Sequence, residues 1–273
     1  MGLEASEATA RGELARAVAG PGPWQVKDCL LRYCIFGDVH GNLEALEAVL
    51  ADAARQDIER HVCVGDIVGY GADPRACVAR VLEVTSQIVA GNHDCATVGR
   101  TDLEYFNVFA KEAVLWTQAQ LSAEEMAFLR GLPLTLSVDG MTIVHATVHQ
   151  PELFGYIESE LSARLSFEAL EDDIAFLGHS HVPVIFFYEQ QEEEIWYSQD
   201  REVPMGDFSK AIVNVGSVGQ PRDENPRAAY AIYDTEQQKV FIRRVDYDVE
   251  KAKQKILNAG LPEVLATRLA IGR

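Results

Sequence analysis

Seven residues of this 273-residue chain carry metal-binding side chains and follow short apolar runs: Asp38, His40, Asp66, Asn92, His145, His179 and His181. They fall in Asp38-Val-His40, Gly65-Asp66, Gly91-Asn92-His93-Asp94, Val144-His145 and Gly178-His179-Ser180-His181. With His93, the set holds His40, His145, His179 and His181, so only His61 and His149 of the chain's histidines lie outside it. Carboxylates, an amide oxygen and imidazoles together suit divalent Mn, Fe, Co, Ni or Zn, and only Cys95 adjoins the set, which argues against a thiolate zinc site. One carboxylate can hold two ions ~3.5–4 Å apart, and such a pair clamps phosphoryl oxygens and ionises water near neutral pH. Asp66 is the candidate for that shared position. His93 adjoins a ligand but is free to point elsewhere, so it is a candidate to protonate a leaving oxygen or stabilise developing charge. Taken singly, each motif has an ordinary explanation: a strand-end turn, an Asn or Asp cap, a core histidine. Their joint placement resists explanation by packing. His61 opens a strand and His149 lies in a loop, and both read as structural or surface residues.

The elements that must position these groups are legible as periodic runs. Leu30–Phe36, His61–Val64 and Ser86–Ala90 are apolar runs closed by glycine, as buried strands are. Between them, Leu43, Leu46, Val49 and Leu50 recur at helical spacing behind a candidate Asn42 cap, predicting a helix over 43–54. Asp73-Pro74 opens a second helix through Val84. Strand–helix–strand repetition predicts a parallel sheet section, with ligand chemistry just beyond the carboxyl ends of its strands. In an extended segment alternate side chains share a face, so Asp38 and His40 are expected to aim together, as are His179 and His181.

The middle of the chain is helical over Leu103–Gln118, and Ser122-Ala-Glu-Glu125 is a capping box for a helix through Arg130. Leu134–Val138 and Met141–His145 flank Asp139-Gly140, a hairpin turn. Residues 147–173 are irregular, with an amphipathic piece near 159–171. Ile174–Leu177 is a strand ending at Gly178. Strands follow over Val182–Tyr188, Glu193–Trp196, Lys210–Val215, Ala229–Tyr233 and Lys239–Arg243, and their spacing predicts a second, largely antiparallel sheet. Helices are expected over Asp248–Asn258 and Pro262–Ala270.

Net charge is −18, which excludes the basic stripe of a nucleic-acid surface but not a small anionic substrate drawn to a bound metal pair. Cys29, Cys34, Cys63, Cys77 and Cys95 show no CxxC spacing and read as reduced thiols, which predicts a cytoplasmic protein. The first 28 residues lack the apolar run of a signal peptide and read as a poorly packed leader with a short helix over 10–19. No run approaches ~20 apolar residues, so no membrane span is expected. The chain therefore divides into a leader over 1–28, a domain over 29–246, and C-terminal helices over 247–273 packed on that domain.

The ordered motifs GDVHGN (37–42), GDIVGYG (65–71), GNHD (91–94), His145 and GHSH (178–181) resemble the calcineurin-like metallophosphoesterase superfamily over about residues 30–245. The resemblance implies an α/β fold of two mixed β-sheets packed as a sandwich with flanking helices. It implies two divalent or mixed-valence transition-metal ions, chiefly Mn or Fe, with Zn, Ni or Co as alternatives. Asp38, His40, Asp66 and His181 would surround one ion, and Asp66, Asn92, His145 and His179 the other. A metal-bridging hydroxide would attack, and His93 would serve the leaving group. The segment 214–234, NVGSVGQPRDENPRAAYAIYD, resembles compact bacterial and archaeal phosphodiesterase-like members, and makes Arg222 a candidate substrate contact.

Three departures separate the chain from the protein serine/threonine phosphatase branch and from other relatives. It reads GDIVGYG where that branch has GDxxDRG, GNHD where it has GNHE, and His145-Ala146 where relatives often have His-Gly. Asp94 then becomes a candidate partner of His93. Ala146 is expected in the floor or wall of the substrate pocket, and 147–173 is expected to govern specificity. The expected activity is hydrolysis of a small phosphodiester. The alternatives are a phosphomonoesterase, including one acting on phosphoproteins, and a noncatalytic metal-binding scaffold.

Overall fold

The computed structural model describes residues 31–206 and 208–273; the leader, its helix over 10–19 and Cys29 lie outside the described residues. In chain order the elements are β1 (Arg32–Phe36), α1 (Leu43–Ala53), β2 (Arg60–Cys63), α2 (Pro74–Val84), α3 (Asn92–Thr97), α4 (Val108–Gln120), α5 (Ala123–Gly131), β3 (Thr135–Val138) and β4 (Met141–Val144). Then come α6 (Glu160–Ala169), β5 (Ile174–Leu177), β6 (Val184–Glu189), β7 (Glu194–Ser198), β8 (Glu202–Pro204), β9 (Lys210–Asn214), β10 (Ala228–Asp234), β11 (Lys239–Val245), α7 (Val249–Asn258) and α8 (Glu263–Thr267).

Two mixed sheets form, in the orders β2-β1-β10-β11-β8 and β3-β4-β5-β9-β6-β7. Strand alternation decides what each face meets. From β1, Tyr33 and Ile35 enter the core between the sheets, where they join Ile143 of β4 and Phe176 of β5. Cys34 and Phe36 point the other way, onto Leu46 and Val49 of α1 and Val78 and Val81 of α2. From β5, Ala175 and Leu177 meet Phe167 of α6 on the outer face of the second sheet. The result is a sandwich of two sheets with helices on both outer faces, as the resemblance implied.

Two expectations from the sequence are corrected, and one further strand appears. Ser86–Ala90 is not a strand; one parallel bridge, Cys63 to Ile88, is all that forms. The Ala90 amide donates instead to the Pro133 carbonyl at 2.7 Å, which takes the backbone away from β2. The second sheet has three antiparallel ladders out of five, but its membership differs from that expected. β10 and β11 return to the first sheet, with β10 antiparallel to β1, while β4, β5 and β9 run parallel in the second. The short strand β8 escapes the sequence pattern because it is an edge strand of three residues ending in a proline.

The C-terminal helices lie beside the front of the molecule. Ala252 and Ile256 of α7 and Leu265 of α8 pack with Ala110 and Ala113 of α4 and with Tyr70. Lys255 of α7 reaches Glu44 and Asp73, each at 2.7 Å. Cys34, Cys63, Cys77 and Cys95 are buried free thiols. Among the described residues, no helix is long and apolar enough to cross a membrane.

Candidate metal centre

The two sheets deliver their parallel strands' carboxyl ends to one place. Asp38 and His40 follow β1, Asp66 follows β2, His145 follows β4, and His179 and His181 follow β5. Asn92 and His93 open α3 rather than forming an isolated turn. All of these groups except Asn92 are nearly inaccessible to solvent.

The convergence is not produced by strand alternation. Asp38, His40, Asp66, His179 and His181 all have left-handed backbones, with φ between 48° and 68°. Such conformations cost a non-glycine residue about 1–3 kcal/mol each and cluster at functional sites. Each paired motif is therefore a tight turn that folds both side chains inward. The Asp38 amide donates to the Gly65 carbonyl and the His40 amide to the Asp66 carbonyl, both at 2.9 Å, which binds the first two turns together. Gly91 permits a close approach: a Cβ there would lie 2.0 Å from Asp66 Oδ1.

Asp66 Oδ2 sits amid the cluster, 3.5 Å from His40 Nε2 and 3.4 Å from His145 Nε2. Asp38 Oδ1 lies 3.4 Å from His181 Nε2, and His40 Nε2 lies 3.1 Å from His181 Nε2. On the other side, Asn92 Oδ1 is 3.1 Å from His145 Nε2. Three groups of metal-capable atoms result, each spanning less than 4.8 Å: Asp38, His40 and His181; Asp38, Asp66 and His145; and His40, Asp66 and His93. His179 stands at the margin, its ring 5.0 Å from that of His145 and its Nε2 buried without a partner.

The donor set fits metal ions. His40, His145 and His181 each turn Nδ1 to a main-chain oxygen, those of Val68, Val64 and Gln220. A carbonyl only accepts, so each Nδ1 bears a proton and each Nε2 is turned to the cluster, where the neutral ring offers a lone pair. Burial pushes the His40 and His181 imidazoles well below their ordinary value, toward the neutral form that ligates. Asp38 Oδ1 is buried without a hydrogen-bond partner. Burial also raises Asp38 to about 7, over the opposing charge of His145. Asp66 is held low, because the imidazoles of His145 and His93 outweigh its own burial. His145 is pushed up to about 9: burial lowers it, but the Asp66 carboxylate wins. The proton that Asp66 draws onto His145 and the raised Asp38 carboxyl are what crowded donors show without a cation; a divalent ion would displace those protons and take the Nε2 and carboxylate donors.

His93 faces the cavity with Nδ1 unpartnered, while its amide donates to Asp66 Oδ1 at 2.8 Å. Burial lowers its imidazole to about 4. Asp94 does not touch this ring. Its Oδ1 accepts from the Ile67 and Val68 amides and its Oδ2 from Gly91, so it pins the 65–71 loop to the start of α3. Ala146 is also displaced from its expected place: it lines a small recess behind Tyr156 rather than the main cavity. Glu152, Leu153, Phe154 and Tyr156, from the 147–173 segment, do line that cavity. Arg222 lines it as well, its Nη2 3.3 Å from Tyr70 Oη.

The comparison with known proteins follows this geometry. Residues 31–238 match the calcineurin-like phosphoesterase superfamily domain. The chain belongs to that superfamily. An uncharacterized protein of Methanocaldococcus jannaschii is 37% identical over 88% of this chain and 97% of its own length. The crystal structure of a metallophosphoesterase from Sphaerobacter thermophilus is similar at TM-score 0.78 and 40% identity, over 90% of this chain and all of that one. A hypothetical protein from Pyrococcus horikoshii shares the fold alone, at TM-score 0.71 and 20% identity over 89% and 98%. Within the superfamily, this chain carries Tyr70 where the protein-phosphatase branch has the arginine of GDxxDRG. Its ring centroid lies 4.6 Å from that of His40 and 4.4 Å from that of His93.

Among the cavity residues without a role in the sequence motifs are Tyr70 and Phe106, which flank His93, and Tyr105 and Arg268. Tyr70 was visible only as a departure from a motif. Arg268 follows α8 and had no local signal at all.

Proposed function

We propose that this chain hydrolyses a small phosphodiester at a centre of two metal ions. Asp38, His40, Asp66 and His181 would hold one ion, and Asp66, Asn92, His145 and His179 the other. The observation that carries this reading is the convergence of these groups around Asp66 Oδ2, with the Nε2 atoms of His40, His145 and His181 turned inward. Two divalent first-row ions, with Mn or Fe the first to test, would polarise phosphoryl oxygens and bring water's ionisation toward neutral pH.

The chain's own groups supply the rest. Asp66 holds the His93 amide, so the start of α3 is fixed relative to the reacting phosphorus. His93, on the cavity wall, would pass a proton to the leaving oxygen as its phosphorus–oxygen bond breaks and the oxygen of water bonds to phosphorus; the proton that water gives up goes to solvent, from which His93 regains its own. Arg222 holds a nonbridging oxygen. Tyr70 is neutral where the protein phosphatases place an arginine, which removes one cation suited to a dianionic monoester and favours a diester.

Parallel assays with a bis-aryl and a mono-aryl phosphate, over Mn, Fe, Co, Ni and Zn, test this reading. It predicts turnover of the bis-aryl ester. Turnover of the mono-aryl ester alone would transfer the assignment to a phosphomonoesterase, and inertness with every metal would favour a scaffold.

A further inference from the structure

The cavity beside the metal-capable cluster has a volume of about 420 Å³ and two arginines in its wall, Arg222 and Arg268. They share one neutral acceptor. Gln220 Oε1 accepts from Arg222 Nη2 at 3.1 Å and from Arg268 Nη1 at 3.3 Å. Arg268 Nε donates to the main-chain oxygen of Arg273, and Arg222 Nε is buried without a partner. Neither side chain has a carboxylate side chain as an ion-pair partner among the described residues. Arg243 and Arg244, by contrast, pair with Asp52 and Asp223.

Two guanidiniums on one oxygen repel, and arginine cannot relieve this by losing its proton. Burial and the charge of Arg222 both hold Arg268 below the ordinary arginine value. In a chain of net charge −18, two half-buried guanidiniums on one neutral oxygen, with no Asp or Glu side chain paired to either among the described residues, make a site suited to an anion.

The two arginines stand at different depths. Arg222 lies 5.7 Å from the centre of the Tyr70 ring, which itself packs on His40 and His93. Arg268 arrives from the end of α8 and reaches no metal-capable residue directly. Gln220 ties them to the centre, because its main-chain oxygen accepts from His181 Nδ1 at 2.6 Å while its side chain seats both arginines. Tyr105, Phe106 and Tyr156 offer ring faces around the same cavity, and Tyr105 is 86% exposed. Such faces stack on planar rings.

We propose that Arg222 and Arg268, seated on Gln220, hold two anionic groups of one substrate, with Arg268 forming the subsite for the second, so that the substrate is a nucleotide-like ester carrying a further phosphate. Arg222 lies toward the reacting phosphorus and Arg268 toward the second phosphate. This deepens the proposed function and rests on that reading of the cavity.

Calorimetric binding of thymidine 3′,5′-bisphosphate and thymidine 5′-monophosphate to the Mn-loaded protein tests it. The bisphosphate is expected to bind roughly tenfold more tightly to the wild type. The ratio of the two dissociation constants should fall to near one in Arg268→Ala and to an intermediate value in Arg268→Lys, which keeps the charge but not the planar fork. Equal binding of both ligands by the wild type overturns the proposal without reference to any variant. A full ratio retained in Arg268→Ala overturns it too. If Arg268→Ala fails to fold, a full ratio in Arg268→Gln does the same. Hydrolysis of a bis-aryl phosphate by the same samples reports separately on the diester reading, so the two can fail independently.

Discussion

His40 and His181 face each other Nε2 to Nε2 at 3.1 Å, while each ring gives its Nδ1 proton to a main-chain oxygen. Two bare lone pairs at that distance repel unless a cation lies against both. The fold holds them there nonetheless, through strained turns after β1 and β5. Binding of metal is therefore expected to stabilise the folded chain. Chelation should lower the thermal midpoint by ~5 °C or more, and Mn should restore it. Differential scanning calorimetry checks this, and a midpoint indifferent to chelator would count against metal occupancy.

Gly69 is expected to tolerate no side chain. A Cβ there would lie 2.4 Å from His93 Nδ1, and the residue's φ of +97° already disfavours alanine. Gly69→Ala should displace the His93 ring and cost about 1–3 kcal/mol of stability. Turnover should fall by ~100-fold or more while metal content is kept. Metal analysis beside steady-state kinetics separates this from simple loss of the centre.

His93 should matter most when the leaving group is poor. A basic leaving oxygen needs a proton as its bond breaks, whereas a nitrophenolate does not. His93→Asn should therefore slow alkyl esters by ~100-fold or more and nitrophenyl esters far less. Rates plotted against leaving-group pKa should steepen in the variant. Parallel lines for variant and wild type would remove His93 from the proton-transfer step.

Most of the fold was legible because its strands and helices carry unambiguous periodicity. Leu43–Leu50 gave α1 its buried face, and Asp139-Gly140 closed the β3–β4 hairpin. The failures have local causes. Ile88 looks like strand, but the backbone beyond it is captured by Pro133. The metal-capable side chains at Asp38, His40, His179 and His181 were legible; their left-handed turns were not, since no residue in those motifs demands positive φ. The outer cavity was hidden more deeply. Arg222 and Arg268 meet at Gln220 only after α7 and α8 fold back onto α4, and nothing in their spacing announces it.

Acid stability should depend on a carboxylate far from the centre. Asp52, on α1, accepts from Tyr230 Oη at 2.8 Å and is held by Arg243 and Arg55. Burial would raise its pKa, but the Tyr230 and Arg243 hydrogen bonds and charges outweigh this and hold it below 3.8. A carboxyl depressed in the folded state stabilises fully above its unfolded value, and that contribution is lost as pH falls through the lower folded value. Asp52→Asn should thus destabilise by roughly 1–3 kcal/mol at pH 7. The gap from wild type should narrow below pH 4, as urea unfolding series at both pH values will show.

The central claim is that Asp66 is shared by two metal ions. Anomalous scattering at the metal absorption edge, from crystals grown with Mn, tests it most directly. Two peaks about 3.5–4 Å apart are expected, one on either side of the Asp66 carboxylate. Both peaks should vanish or weaken in Asp66→Asn. A single peak, or two peaks that do not share Asp66, would contradict it.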